Sequence, residues 1–417
     1  MSMANVLYLV HRLPYPPNKG DKVRSYHLLK HLSARHRVFL ATFVDDPEDE
    51  PHVDTVRRLC AEMHVSRLNP ITAKIRSLRA LFDGRPLSLA YYADRAMRNW
   101  VAHTRAHCQI DAVVVFSSAM GQYASQVGGA VDCPVLVDFV DVDSTKWSQY
   151  ASKHRWPLSW IYAREGRRLL KYERQLASRA RKSFFVTENE VALFRSLAPE
   201  LGSAVEAVGN GVDSDFFSPS ADHATPFSSD ELPVVFTGAM DYWPNMDAAT
   251  WFAQDMMPTL RMWNDRIRFY IVGRSPAPAI RALASDHVVV TGTVADVRPY
   301  LQYAAVVVAP MRIARGVQNK VLEAMSMGRP VIAARECVDA ISAIDGEELL
   351  AAQSTSEFVD AVQTLLSRPD TANRIGAAGR ACVVRRFSWG AHLSRVDRYL
   401  PAGSSNTSNS GQSYVQV

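Results

Sequence analysis

The sequence predicts an α/β protein built from two Rossmann-like halves. Two observations carry that reading. Short β-branched runs such as AVVVF at Ala112–Phe116 recur between longer amphipathic stretches, and near-continuous apolar runs suit strands covered on both faces of a parallel sheet. The alternation then occurs a second time after a polar break, and strands alternating with helices imply βαβ units. In open sheets of this kind, ligands sit outside the carboxyl ends of the strands.

In the first half, strands are predicted at Val6–Val10, Val38–Phe43, His64–Leu68, Ala112–Phe116, Val135–Phe139, Ser183–Thr187 and Ala204–Val208. Helical patterns occupy Asp21–Ala34, Tyr92–Ala106 and Leu158–Ala180. The break is Phe217–Leu232, FSPSADHATPFSSDEL, which has linker composition. Second-half strands are predicted at Val234–Thr237, Arg268–Val272, Val288–Thr291, Val306–Ala309 and Val331–Ala334. Its helices are predicted at Met246–Trp263, Asp296–Tyr303, Asn319–Met327 and Ser356–Ser367. The tail after Ala402 is polar and aperiodic, the composition of a disordered terminus.

Composition bounds the function. Of 417 residues 47% are hydrophobic and 21% charged, the balance of a chain with a large core. No apolar stretch approaches the roughly 18 residues of a membrane-spanning helix. MSMANVLYLV lacks a basic leader and a small-residue cleavage site, so it reads as a first strand. Cys60, Cys108, Cys133, Cys337 and Cys382 are odd in number and widely spaced, which argues against a disulfide framework or a zinc site. Free thiols fit a reducing cytoplasm. The net charge of +5 comes from the half before Asp215.

Five segments carry candidate chemistry. LPYPPNKGDKVR at Leu13–Arg24 follows a strand and opens a helix. Amides around Gly20 at that helix start can face an anion, with Lys19, Lys22 and Arg24 adding positive charge. The alternative is a solvated Pro-rich loop. VDFVDVDSTKW at Val137–Trp147 places Asp138, Asp141 and Asp143 at a strand end. Asp141-Val-Asp143 formally matches D-x-D, but the surrounding fold is wrong for that metal pattern, and Asp141 is read as facing an acceptor or a transferring sugar. VGNGVDSDFF at Val208–Phe217 is a shaped turn. Gly238, Gly273 with Arg274, and Gly292 with Val294 end three strands and suggest a common ligand rim, with Asn245 opening the next helix. Singly, each glycine is equally explained by helix–sheet packing. Finally, PMRIARGVQNKVLEAMSMGRP at Pro310–Pro330 gathers Arg312, Arg315, Gly316, Asn319 and Lys320 around a helix start that favours phosphate. Glu323, three residues after Lys320, shares its helix face and could accept two ribose hydroxyls. The plain alternative is a surface Lys–Glu pair.

Taken in order, these segments resemble a GT-B glycosyltransferase of the GT4 type. VGNGVDSDFFSP is similar to that family's inter-domain turn, and the Pro310–Val331 stretch to its sugar-nucleotide motif. More narrowly, LPYPPNKGDKVRS, VDVDSTKW, GAMDYWPN and RGVQNKVLEAMSMGRPV resemble the sugar transferases of the PEP-CTERM/exosortase system, along roughly Val6–Leu400. The resemblance implies two Rossmann-like domains facing across a cleft. Residues 1–210 would be the acceptor domain and 211–385 the nucleotide-sugar domain. Residues 386–400 would be a terminal helix packing back on the first domain, and 401–417 a disordered tail. It implies metal-independent, retaining transfer from a nucleotide diphosphate sugar, UDP- or GDP-type, with no further cofactor. Lys320 would meet the diphosphate and Glu323 the ribose, and Asp141 would orient the acceptor. Arg315 stands where the family carries its first motif glutamate. The nucleotide-sugar contacts implied are Gly20, Lys22, Arg24, Gly238, Asn245, Gly273, Arg274, Val294, Arg312, Arg315, Gly316, Asn319 and Glu323.

Trp156–Lys182, WPLSWIYAREGRRLLKYERQLASRARK, is aromatic at its start and then strongly basic. Such a helix can lie on an anionic membrane. The resemblance adds a polyprenyl-diphosphate-linked glycan as acceptor and a peripheral place on the cytoplasmic face of the membrane, in exopolysaccharide assembly. Nothing accompanies the basic stretch that reads as a nucleic-acid module. Two rival readings are a catalytically silent scaffold that binds a nucleotide sugar or lipid, and a non-hydrolysing sugar-nucleotide epimerase.

Overall fold

The apolar runs form two parallel sheets. The structure, a computed structural model, describes residues 3–17, 20–124, 133–313 and 317–401. Contacts divide the chain after Asn210: Gly211–Ala391 form the second unit, and residues from His392 group with the first.

In the first unit the strands are β1 (Asn5–Val10), β2 (Arg37–Val44), β3 (Glu62–Arg67), β4 (Ala112–Phe116), β5 (Val135–Val140), β6 (Lys182–Phe185) and β7 (Val205–Ala207). They lie in the order β3-β2-β1-β4-β5-β6-β7, all pairs parallel. Helices that matter below are α1 (Gly20–Ser33), α2 (Pro70–Ser77), α3 (Ala80–Asp83), α4 (Asp143–Lys153) and α5 (Leu158–Arg179). The core is a continuous cluster around Leu7, Phe39, Val113, Val137 and Phe185.

The second unit orders β8 (Leu232–Thr237), β9 (Ile267–Val272), β10 (Val288–Gly292), β11 (Val306–Ala309), β12 (Val331–Ala334) and β13 (Leu350–Ala352) as β10-β9-β8-β11-β12-β13, again parallel. Its key helices are α6 (Trp243–Trp251) and α7 (Asn319–Ser326). In both sheets the order reverses beside the first strand, at β1/β4 and at β8/β11. Those are the switch points where such sheets bind ligands. A last helix, α8 (Trp389–Asp397), runs across the sequence boundary between the units. Beyond His392 its end is tied into the first unit by His31 Nε2 on Asp397 (2.8 Å) and by Arg395 donating to Ala207 O (3.0 Å).

Three expectations need correction. Phe217–Leu232 is not a linker: Phe227 is buried and edge-on to Tyr270, and the Phe217 carbonyl accepts from Ser326 Oγ. Polar composition there reflects a strap laid over the second unit by its backbone groups. The long helix expected from Met246 starts at Trp243, with Pro244 in its first turn. It then widens into a π-turn at Phe252–Met256 before Met257–Trp263, because Pro258 has no N–H for the regular ladder. Strand β13 and a helix at Pro369–Arg386 were not foreseen.

Lys22 and Arg24 also depart from expectation. Both are buried to 1% exposure. Lys22 Nζ donates to Asp49 Oδ1 at 2.5 Å. Arg24 Nε donates to Asp138 Oδ2 at 2.7 Å and its Nη1 to Asn210 Oδ1 at 3.0 Å. These cations are committed to internal partners and do not present a charge to a diphosphate. Arg24→Met strands the Asp138 carboxylate and is expected to destabilise the first unit by about 3–5 kcal/mol. Urea unfolding checks it, with an unchanged midpoint as the contrary result.

Candidate active site

The second unit builds its site where β8 and β9 end. A Cβ on Gly273 would fall 1.6 Å from the Gly238 carbonyl oxygen, so the two chain ends touch backbone to backbone. A Cβ on Gly238 would in turn fall 2.7 Å from Asn245 Nδ2 and 3.4 Å from Lys320 Nζ. Four residues from three separate stretches of the sequence therefore meet. Asn245, buried in the first turn of α6, donates from Nδ2 to Ala239 O (2.9 Å) and so turns its Oδ1 outward. Lys320 Nζ donates to that oxygen. The ammonium also lies 4.9 Å from the centroid of Phe236 and 3.7 Å from Met311 Sδ.

The electrostatics follow from that apolar setting. Burial pulls Lys320 down to about 8. One turn along α7, burial pushes the Glu323 carboxyl up to about 7, with Lys320 opposing. Among the described residues nothing hydrogen-bonds the Glu323 carboxylate. Cys337, behind the lysine, is raised to about 11 by burial. The arrangement is a desolvated cation held by a neutral amide, next to bare glycine backbone and a carboxylate with open acceptor positions. Such a site favours an anion at Lys320 and hydroxyl donors at Glu323.

Other expected contacts lie around it unevenly. Arg274 is exposed and its carbonyl accepts from Met240 N (2.8 Å). Val294 is half-buried against the unit's core. Arg312 is exposed, paired with Asp247 and placed over the Trp251 ring, so its charge is already compensated. Asn319 is the exposed first residue of α7. Arg315 and Gly316 lie outside the described residues.

In the first unit a cleft of about 350 Å³ opens beyond β1, β4 and β5. Gly20 lines it at the start of α1, as do His11, Asp21, Asp141, Lys146 and Asn210. Asp141 is not free: Lys146 Nζ donates to it at 2.8 Å and to Asp143 at 3.0 Å. Against the opposing effect of burial, those two carboxylates hold the Lys146 ammonium above its ordinary range. Before them, Val140 sits at φ 68°, an unusual conformation for a β-branched residue. Glu173, buried under α4, accepts from Ser144 Oγ (2.6 Å), and burial raises it to about 8.

Sequence reasoning passed over His11 and Lys146. His11 follows β1 directly, stacks on Phe116 (5.8 Å) and places Nε2 3.5 Å from Asp21. Burial opposes ionisation of Asp21, but His11 and Arg12 outweigh it and hold that carboxyl well below its usual range. The available signal was position, since a polar residue immediately after a parallel strand lies on the ligand rim.

Comparisons with known proteins bear on the fold and on the second unit's family. Residues 231–368 match the family model described as glycosyl transferases group 1. A search of curated proteins finds no match. Among solved structures, HepE of Anabaena in complex with UDP is similar at 14% identity and a TM-score of 0.58, over 95% of this chain and 99% of that one. The same protein with UDP-glucose aligns at 13% identity and 0.55, over 94% and 98%. Sucrose-phosphate synthase from Thermosynechococcus elongatus aligns at 19% identity and 0.56, over 95% and 98%. The architecture is GT-B, the second unit carries a glycosyltransferase group 1 domain, and the chain is a glycosyltransferase enzyme.

The paired shifts give a signed pH dependence. Folded Glu323 keeps its proton to about pH 7, against 4.5 ordinarily. The folded state therefore binds the extra proton in that window, and stability falls as pH rises through it. Lys320 acts oppositely: between about 8 and 10.5 the unfolded chain holds the extra proton, and stability rises with pH. Glu323→Gln is expected to remove the fall between pH 4.5 and 7. Urea titrations at several pH values read it, and an unaltered slope in the variant is the opposing result.

Proposed function

We propose that the chain moves a sugar, with retention at the anomeric carbon, from a UDP- or GDP-type diphosphate sugar to a polyprenyl-diphosphate-linked glycan. The observation that carries this is the meeting of Gly238, Gly273, Asn245 and Lys320 beside Glu323, inside the stretch matched as glycosyl transferases group 1. HepE, a structural neighbour, binds UDP and UDP-glucose, which supports a nucleotide sugar here.

The chemistry needs a leaving diphosphate stabilised more than it needs a strong base. Lys320 would supply positive charge where that charge develops, and Asn245 preorganises it. A diphosphate beside the ammonium favours its protonated form, so arrival of the anion reverses the desolvation that depresses Lys320. Glu323 would take the ribose hydroxyls. Front-face departure of the diphosphate, which itself takes the acceptor proton, leaves no role for an obligatory side-chain base. Asp141, held by Lys146, would orient the acceptor.

The acceptor reading extends to location. Trp156 is exposed ahead of α5 and Trp160 in its first turn, and Arg167, Arg168, Lys171 and Arg174 face solvent along it, while Arg164, Glu165 and Glu173 are turned inward. That aromatic and basic face supports a peripheral place on an anionic, cytoplasmic membrane face. Together with the PEP-CTERM/exosortase resemblance, it points to exopolysaccharide assembly.

A thermal-shift series with UDP, GDP, ADP and dTDP, each with and without EDTA, tests the donor. A ligand that binds only the folded chain stabilises it by about 2.7 kcal/mol at 100 times its dissociation constant. One nucleotide is expected to shift the transition regardless of EDTA. Lys320→Ala and Glu323→Ala are each expected to remove most of that shift. Wild-type shifts in both variants would refute the assignment. Radiolabelled sugar transfer to a polyprenyl-diphosphate glycan tests the reaction, and binding without transfer would favour a silent scaffold.

A further inference from the structure

Besides Trp156 and Trp160 of the basic segment, the first unit carries a second set of exposed apolar residues. They cluster on α2 and α3. Ile71, Ile75, Leu78 and Phe82 are 71%, 64%, 49% and 93% exposed. Leu78 and Arg79 keep right-handed helical dihedrals between the two helices, so positions 71, 75, 78 and 82 fall on one face. Ala73, Ser77 and Ala80 form the opposite, buried face. The ridge is rigidly backed: Arg164 of α5 donates to the carbonyls of Ala80 (2.5 Å) and Arg85 (3.3 Å), and Glu165 accepts from the amides of Leu87 and Ser88. Lys74, Arg76 and Arg79 flank it and are exposed.

Immediately after the ridge, the chain enters a cavity of about 380 Å³ lined by Gly84, Arg85, Arg98, Arg168, Lys171 and Tyr172, with no carboxylate among the described residues of its wall. Arg85 is paired with Asp83 (2.6 Å). Arg98, Arg168 and Lys171 have no carboxylate partner among the described residues. A cationic cavity beside an exposed apolar ridge fits one kind of surface, in which acyl chains lie next to anionic phosphate.

We infer that α2–α3 is a membrane-insertion ridge and that the Arg98–Arg168–Lys171 cavity receives the phosphate headgroup of an anionic lipid. The inference deepens, and rests on, the membrane reading given for Trp156–Lys182. It moves the inserting apolar surface to a different segment and adds a headgroup site.

Sedimentation of the full chain with vesicles tests it, using phosphatidylcholine alone and an equal mixture with phosphatidylglycerol. Wild type is expected to sediment with the mixture only. The double variant Ile75→Ser, Phe82→Ser is expected to weaken partition by about tenfold or more. Arg168→Gln with Lys171→Gln should do the same and reduce its salt dependence. Both variants change exposed side chains, and retention of the wild-type melting transition verifies folding. Wild-type partition in either variant would overturn the inference. So would self-association without vesicles that Phe82→Ser abolishes, since the ridge would then dock a second copy. Stabilisation by inorganic phosphate, lost in the cavity variant and unaccompanied by vesicle binding, would also overturn it. Nucleotide shifts on the same preparations separate the two readings: vesicle binding without any nucleotide shift removes the transferase reading and leaves this one standing, and the converse removes this one.

Discussion

No side chain fits between the carboxyl ends of β8 and β9, and the second unit's candidate site depends on that constraint. The strands run in register from Leu232 against Ile267 to Thr237 against Val272. Hydrogen bonding then continues beyond them, with Gly238 N donating to Val272 O (3.0 Å) and Met240 N to Arg274 O (2.8 Å). The chain therefore turns while still paired, and only glycine at 238 and 273 lets the backbones close. The turn sets where α6 begins, which sets Asn245, which fixes the amine of Lys320. A methyl group at either glycine would displace the amide and leave a desolvated amine without its polar partner.

The two units contain the same residue types with opposite consequences. Lys22 is fully buried and Lys320 half-buried, and Lys22 ends on a carboxylate and Lys320 on a neutral amide. A buried cation paired with a carboxylate has its charge compensated, and removing either partner is what destabilises the fold. A half-buried cation paired with an amide is solvated only in part, and a negative ligand would complete the compensation. The identity of the partner, not the presence of a lysine near a strand end, separates a structural charge from a binding charge.

That distinction explains how much could be read from sequence. The sheets were legible because parallel strands buried on both faces write themselves as apolar runs, and Ala112–Phe116, Val306–Ala309 and Val331–Ala334 appear with the predicted limits. Strand β13 was not, being three residues of Leu and Ala without β-branching. The glycine rim with Asn245 and Lys320 was legible because each lies at the start of a loop or helix following a strand, and Glu323 because it shares the helix face of Lys320. Lys22 and Arg24 carried the same local signature, but their partners Asp49 and Asp138 come from elsewhere in the chain. Pairing across 27 and 114 residues leaves no trace in the local pattern. The exposed ridge at Ile71–Phe82 was hidden for the converse reason: an apolar face at helical spacing reads as core, and only the fold shows that Ala73, Ser77 and Ala80 face inward instead.

Arg24 nevertheless bears on the first unit's cleft. Asp138, which its guanidinium fixes through Oδ2, accepts from the amide of Val140 through Oδ1 at 3.2 Å. That amide belongs to the residue held at φ 68°, where the register of β5 against β6 shifts. A left-handed valine costs energy and persists only where its surroundings over-determine it. The buried ion pair provides that constraint, and the turn it enforces delivers Asp141 and then Asp143 to the cleft wall within reach of Lys146. Arg24 is thus a positioning residue. Through Asp138 and the strained Val140 it determines where the carboxylates of the cleft wall stand.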